Sequence, residues 1–402
     1  MSEIITRDII ADYMKFNGAT KDELCLLINR WKRLLTTKCG VKKGDSIGLG
    51  IIDVNLNHLA VIFAASELGM IQSIISRPIS QETIAGTKHV QTGIPDIMVI
   101  DNRGSYWWPD YMVNYYEIHS KYVLTEDAVD EITDDSYVPS APLVPTDPFM
   151  LTSTSGTTTG EVKKIYLSHK DIISWAKLPI KLRYNRETTM MHNVNMHHGA
   201  AFGAAILPGL MVVENNYSGL INIGTEEEFI VDYVIGRGVR TVMANNPFQI
   251  ERLIPHIRKH KDKFSHKLEI FIAGFKAPDN LYDYAKELPV YFWASYGTSE
   301  HGLISWFIID DKTENVPGYV GELIEELSID FVDGIAYGSS EHSGFYNVKI
   351  PDKIELIGNS VYIRGRLDAM EIPDPSLKQI LDEQCDYSYL HSKKTDRKYG
   401  TK

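Results

Sequence analysis

The sequence predicts an α/β protein made of two layered α/β subdomains with mostly parallel sheets. Short apolar runs alternate with helix-period runs in the first part of the chain, and the alternation restarts after "YLSHKD". A chain of 402 residues with 44% hydrophobic and 10% aromatic content can also bury more than one core.

The elements follow in order. In "TKDELCLLINRWKRLLTTKCG", Thr20 and Glu23 form a candidate capping box, and Leu24, Leu27, Ile28, Trp31, Leu34 and Leu35 recur at helical spacing before Gly40. "GDSIGLGII" reads as a buried strand, "NLNHLAVIFAASELGM" as a helix and "IQSIIS" as a strand; a helix near Gln81 and a strand at "IPDIMVID" come next. From Asp101 to Asp147 the pattern loosens into a Tyr-rich and Pro-rich stretch, read as a surface connector. Beyond it the sequence predicts a helix at "HKDIISWAKL", a small-residue helix around "HHGAAFGAAILPG", a strand at "LMVVEN", a helix at "EEEFIVDYVIGRG" and a strand at "VRTVMA". After Val316 short strands with turns take over, and "DKIELIGNSVYIRGR" reads as a hairpin around Gly358 and Asn359. The polar segment after Arg366 is expected to end frayed.

Charge and cysteine usage narrow the function. A formal net charge of −12 disfavours nucleic acid and anionic membranes as partners. The three cysteines, Cys25, Cys39 and Cys385, show no paired or metal-type spacing and suit a reducing compartment. With no basic leader at "MSEIITRDII" and no bilayer-length apolar window, the cytoplasm is the expected location.

Hydroxyls stand on seven of the eight positions from Thr152 to Thr159, within "LTSTSGTTTGEVKK". Glycines let backbone N–H groups approach an oligophosphate, while hydroxyls and a lysine donate to its oxygens. The segment departs from G-x-x-x-x-G-K-[ST], because Gly156 and Gly160 are too close and Glu161 follows Gly160. His192, His197 and His198 lack a carboxylate or cysteine at supporting spacing, which argues against a metal site there.

The loop resembles the phosphate-binding motif of the adenylate-forming superfamily, which includes acyl-CoA synthetases, adenylation domains and luciferases. Ser155, Gly156, Thr157, Thr158, Gly160 and Lys163 fall on that motif, followed by Ser168 and His169. Thr159 is an extra residue, as in plant amide synthetases of the superfamily, and Val162 replaces the usual proline. "YGTSE", with Tyr296, Gly297, Thr298, Ser299 and Glu300, resembles the motif whose hydroxyl meets the α-phosphate and whose glutamate holds Mg²⁺. A hard carboxylate oxygen at Glu300 suits that ion. Gly274, Phe275 and Lys276 fall on the segment that packs on adenine, His198 on the histidine of the substrate gate, and Asn195 on its proline. The gate carries no aspartate of the kind that pairs with an α-amino group, which weakens an α-amino acid substrate. "GRLD" resembles the hinge element: Arg366 would reach ribose or phosphate, Asp368 would mark the hinge, and Asp352 is the best-spaced ribose carboxylate.

The resemblance spans about residues 5 to 370 and implies a large N-terminal domain over 1–366, with a small distorted β-barrel-like subdomain from about 316. It implies ATP-dependent activation of a carboxylic acid to an acyl-adenylate, with Thr157, Lys163, His198 and Glu300 as the catalytic set and ATP and Mg²⁺ bound. The acceptor is then a thiol, of coenzyme A or a carrier protein, or an amine; a nucleotide-binding protein without catalysis is the alternative from another class. Residues 367–402 would be a short remnant of the family's C-terminal domain, leaving Lys402 or a partner protein to supply its lysine.

Overall fold

The computed structural model describes residues 3–50, 54–74, 94–100, 110–153, 164–193, 201–218, 227–244, 247–273, 277–298, 300–340 and 345–367. Strands β1 (Lys15–Phe16) and β2 (Ala19–Thr20) lead into helix α1 (Lys21–Thr37). The expected capping box starts that helix: the Glu23 amide donates to Thr20 Oγ1, and the Thr20 amide donates to the Glu23 carboxylate at 2.8 Å. Next come β3 (Ser46–Gly50), α2 (Leu56–Glu67), β4 (Ile71–Ile74), β5 (Ile97–Ile100), α3 (Asp110–His119), β6 (Tyr122–Thr125), β7 (Pro148–Ser153) and β8 (Lys164–Ser168). Their sheet has the order β6-β5-β3-β4-β7-β8 and is parallel except for the β7–β8 pair.

Helix α3 and strand β6 correct the reading of Asp101 to Asp147 as connector throughout. The "YVLT" run is too short for a periodicity to register, yet it extends the sheet because β5 offers it a parallel ladder. Tyr116 on α3 is buried although the helix around it is rich in tyrosine.

The second half runs α4 (His169–Leu182), β9 (Thr189–Asn193), a π-helical turn (Ala201–Ile206), α5 (Leu207–Val212), β10 (Asn215–Ser218), α6 (Glu227–Arg237), β11 (Thr241–Ala244), α7 (Pro247–Lys259), β12 (Leu268–Ala273), α8 (Asn280–Glu287), β13 (Val290–Thr298) and β14 (Gly302–Ile309). The strand expected at "LMVVEN" is displaced. Its first residues finish α5, where Leu210 is fully buried, and the strand starts only at Asn215.

Strands β10, β9, β11, β12 and β13 pair in parallel, and β14 joins antiparallel. Alternation sorts their side chains between two faces. Val242, Ile270 and Phe292 meet α6, α7 and α8 on one face. Met190, Met243, Phe271 and Trp293 point the other way, into the core that α2, α4 and the π-helical turn share with the first sheet. Phe149 of β7 stacks on Phe202 of the π-helical turn at 5.6 Å, which locks the first sheet to that middle layer.

The chain closes with β15 (Tyr319–Leu323), β16 (Ser328–Val332), β17 (Ile335–Ser340), β18 (Phe345–Lys349), β19 (Asp352–Ile357) and β20 (Ser360–Arg366). The expected hairpin around Gly358 and Asn359 is the β19–β20 pair. The expected barrel-like unit is open instead: β15, β20 and β19 extend the edge of the large sheet, β16–β18 form a separate three-stranded sheet, and no closed barrel exists among the described residues. Ile304, Leu327, Ala336, Ile350, Ile354 and Val361 fill the space between them. The helix expected near Gln81 and the segment from Asp368 to Lys402 lie outside the described residues. Among the described residues no helix is long and apolar enough to cross a membrane.

Candidate functional site

Ligands of open α/β sheets sit beyond the carboxyl ends of the parallel strands. In the large sheet that edge is marked by Asn193, Ala244, Ile272 and Ala294, joined in register across β9, β11, β12 and β13. Three of the sequence motifs leave the sheet there, while the hydroxyl-rich loop joins β7 and β8 of the other sheet. His198 follows β9; Gly274, Phe275 and Lys276 follow β12; Ser299 follows β13. These residues, with Ser155, Gly156, Thr157, Thr158, Thr159, Gly160 and Lys163 between the paired ends Ser153 and Lys164, lie outside the described residues. Their flanking strands are what the fold fixes.

Tyr296, Gly297 and Thr298 end β13, and Glu300 stands half-buried in the turn to β14. A bulge falls between Tyr296 and Gly297. The turn is tight because two glycines form it. A Cβ on Gly297 would lie 2.0 Å from the Gly302 carbonyl oxygen, and Gly302 has a φ of +69°. On Gly302 a Cβ would also meet Trp175 Nε1 at 1.9 Å, while one on Gly203 of the π-helical turn would meet the other side of that indole at 3.1 Å. Trp175 of α4 is thus clamped between the small-residue segment and the Glu300 turn. Gly302→Ala is expected to cost roughly 2–4 kcal/mol, from the left-handed backbone and the displaced indole together. Thermal denaturation checks it; an unchanged melting temperature would show that the clamp is loose.

Three residues read separately from the sequence come together at the far side of β13. The Tyr296 hydroxyl donates to Asp352 Oδ2 at 2.7 Å, and Asp352, only 5% exposed, pairs in register with Arg366. The bond joins positions 56 residues apart in sequence.

His301 was not among the residues read from the sequence. Its Nε2 lies 2.9 Å from the Val348 carbonyl oxygen, which can only accept, so Nε2 carries the proton and Nδ1 accepts from the Thr298 hydroxyl at 2.8 Å. Burial lowers its pKa against the opposing pull of Val348 and Glu300, which keeps the ring neutral. The imidazole therefore braces the turn that presents Glu300. His192 has a different setting: it is fully buried, stacked on Phe16 at 6.0 Å and bonded to Asn216 at 2.9 Å, with its pKa pushed down by burial to about 4. It packs the core beneath the site.

A family model described as AMP-binding enzyme matches residues 13–335. No curated protein sequence matches the chain. Among solved structures, ATP-bound MatB from Rhodopseudomonas palustris is similar at 16% identity and a TM-score of 0.69, covering 90% of this chain and 79% of its own. A Mycobacterium tuberculosis fatty acyl CoA synthetase is similar at 15% identity and a TM-score of 0.73, covering 88% and 74%. The VinN structure is similar at 17% identity and a TM-score of 0.71, covering 90% and 98%. At such identities these likenesses are of fold.

Proposed function

The chain belongs to the AMP-binding enzyme family, and from that premise we propose that it activates a carboxylic acid with ATP, forming an acyl-adenylate and releasing pyrophosphate, then passes the acyl group to a thiol of coenzyme A or a carrier protein. The observation that carries the reading is the bond from Tyr296 to Asp352 at the carboxyl edge of the parallel strands. It puts an aromatic ring and a buried carboxylate, suited to a base and to ribose hydroxyls, beside the turn that carries Glu300.

The charge balance assigns the roles. A substrate carboxylate attacks the α-phosphorus, the bond to the bridging oxygen breaks, and pyrophosphate leaves with the electron pair, so negative charge must be neutralised along the whole triphosphate. Thr157, Thr158 and Lys163 are the donors proposed for the β- and γ-phosphates, and Ser299 for the α-phosphate. Glu300 is the carboxylate that would hold Mg²⁺, which when bound supplies the divalent charge between the phosphates.

Acid-dependent exchange of labelled pyrophosphate into ATP tests the proposal directly. Label incorporation with at least one acid supports it; ATP binding without exchange for any acid overturns it. Tyr296→Phe removes one donor from Asp352 and is expected to raise KM for ATP about tenfold or more, as the loss of a hydrogen bond to a charged group does. An unchanged KM would separate Asp352 from the nucleotide.

A further inference from the structure

A cavity of about 230 Å³ opens between α4 and the start of β14. Trp175 and Leu178 of α4, Leu303 of β14 and Leu327 give it an apolar lining, interrupted by Ser174 and Ser340. His301, also in the lining, follows Glu300 in sequence, and the indole of Trp175 rests on Gly302, so this part of the cavity abuts the turn assigned to adenylation. Farther along α4 from Trp175 the lining carries charged groups. Lys181 there is held by Glu325 at 2.7 Å and Glu326 at 3.3 Å, whereas Lys177, also in the wall, has no ion-pair partner among the described residues. One buried oxygen of Glu326, Oε2, has no hydrogen-bond partner.

Resting on the function proposed above, we propose that this cavity holds the tail of the acid substrate, and that the tail is a single ring or a chain of six to eight carbons with a hydrogen-bonding group at its distal end, facing Lys177. Size and lining carry the inference. An apolar cavity of about 150 Å³ takes up benzene, so one of this volume holds roughly nine non-hydrogen atoms, too few for a long acyl chain and wasteful for a two-carbon acid. The lining is mostly apolar, as in ligand pockets, with Ser174 and Ser340 as neutral polar members, and its charged groups Lys177, Lys181 and Glu326 would select the distal substituent. Trp175, wedged between two glycines, gives the cavity a rigid wall.

The test is pyrophosphate exchange on the full chain with acetate, hexanoate, benzoate, para-hydroxybenzoate, naphthoate and palmitate. The proposal expects kcat/KM for hexanoate or benzoate to exceed that for acetate and palmitate at least about tenfold, the scale on which a hydrophobic pocket discriminates. It expects para-hydroxybenzoate to have a lower KM than benzoate, and Lys177→Ala to erase that difference. Leu303→Ala should enlarge the cavity and shift preference towards naphthoate by about fivefold or more, a gain that misfolding cannot mimic. Exchange confined to acetate or to palmitate, or a Leu303→Ala profile identical to the parent, overturns the cavity assignment while leaving adenylation standing. Exchange with no acid overturns both.

Discussion

Glu300→Ala is expected to lower acid-dependent pyrophosphate exchange about 10²–10³-fold while leaving the melting temperature close to that of the parent. The side chain is half-buried in a turn whose shape is set by Gly297, Gly302 and the braced His301, none of which needs the carboxylate. What is lost is the charge that would hold a divalent cation against the phosphates, and removing one preorganised electrostatic group from a transition state costs on that scale. Glu300→Gln keeps the volume and hydrogen-bonding capacity without the charge, so it should fall nearly as far. A glutamine variant close to full rate would mean that the position acts through shape and would remove the metal role.

The sequence was most legible where local chemistry decides structure. The capping box at Thr20 and Glu23 and the hairpin at Gly358 and Asn359 are short-range patterns, and both form. The motifs after β9, β12 and β13 share one edge of the large sheet because its parallel strands end on the same side. The hydroxyl-rich loop instead joins two antiparallel strands of the other sheet, which motif order does not reveal. Long-range facts were out of reach. Nothing local tells that the Tyr296 hydroxyl ends on Asp352, that His301 finds a carbonyl 47 residues away, or that Trp175 needs glycine on both sides. Strand β6 was missed for the opposite reason: four residues carry too little pattern, and only the neighbouring strand makes them a strand.

The second large effect lies away from the site. Glu67 at the end of α2 is 1% exposed and accepts from Lys32 Nζ at 2.7 Å, from Arg7 Nη2 at 2.8 Å and from Ser140 Oγ at 3.2 Å. Burial pushes its carboxyl up, but the bonds from Arg7 and Lys32 outweigh that and hold its pKa down to about 2. The same burial lowers the pKa of Lys32, which the bond to Glu67 offsets only in part; with Arg7 as a second cation, the carboxylate stays charged.

Glu67→Ala leaves Lys32 buried without its counter-charge and is expected to cost about 3–5 kcal/mol in denaturant unfolding. A loss under about 1 kcal/mol would mean that water reaches the site. The pH dependence has a definite sign. A depressed carboxyl pKa stabilises the fold fully above the ordinary value of 4.5, and that contribution disappears as pH falls towards about 2. The parent should therefore lose stability in that window faster than Glu67→Gln does.

The three grips on Glu67 span 60, 35 and 73 residues of sequence. Contacts of that reach close large loops, so they form late on the folding path, after the helices that carry them. Their removal should then appear mainly as faster unfolding and barely as slower folding. The knot that ties the amino-terminal segment, α1 and the stretch before β7 thus acts as a latch on the lifetime of the native state, and the segment leading into the hydroxyl-rich loop is held by it through Ser140.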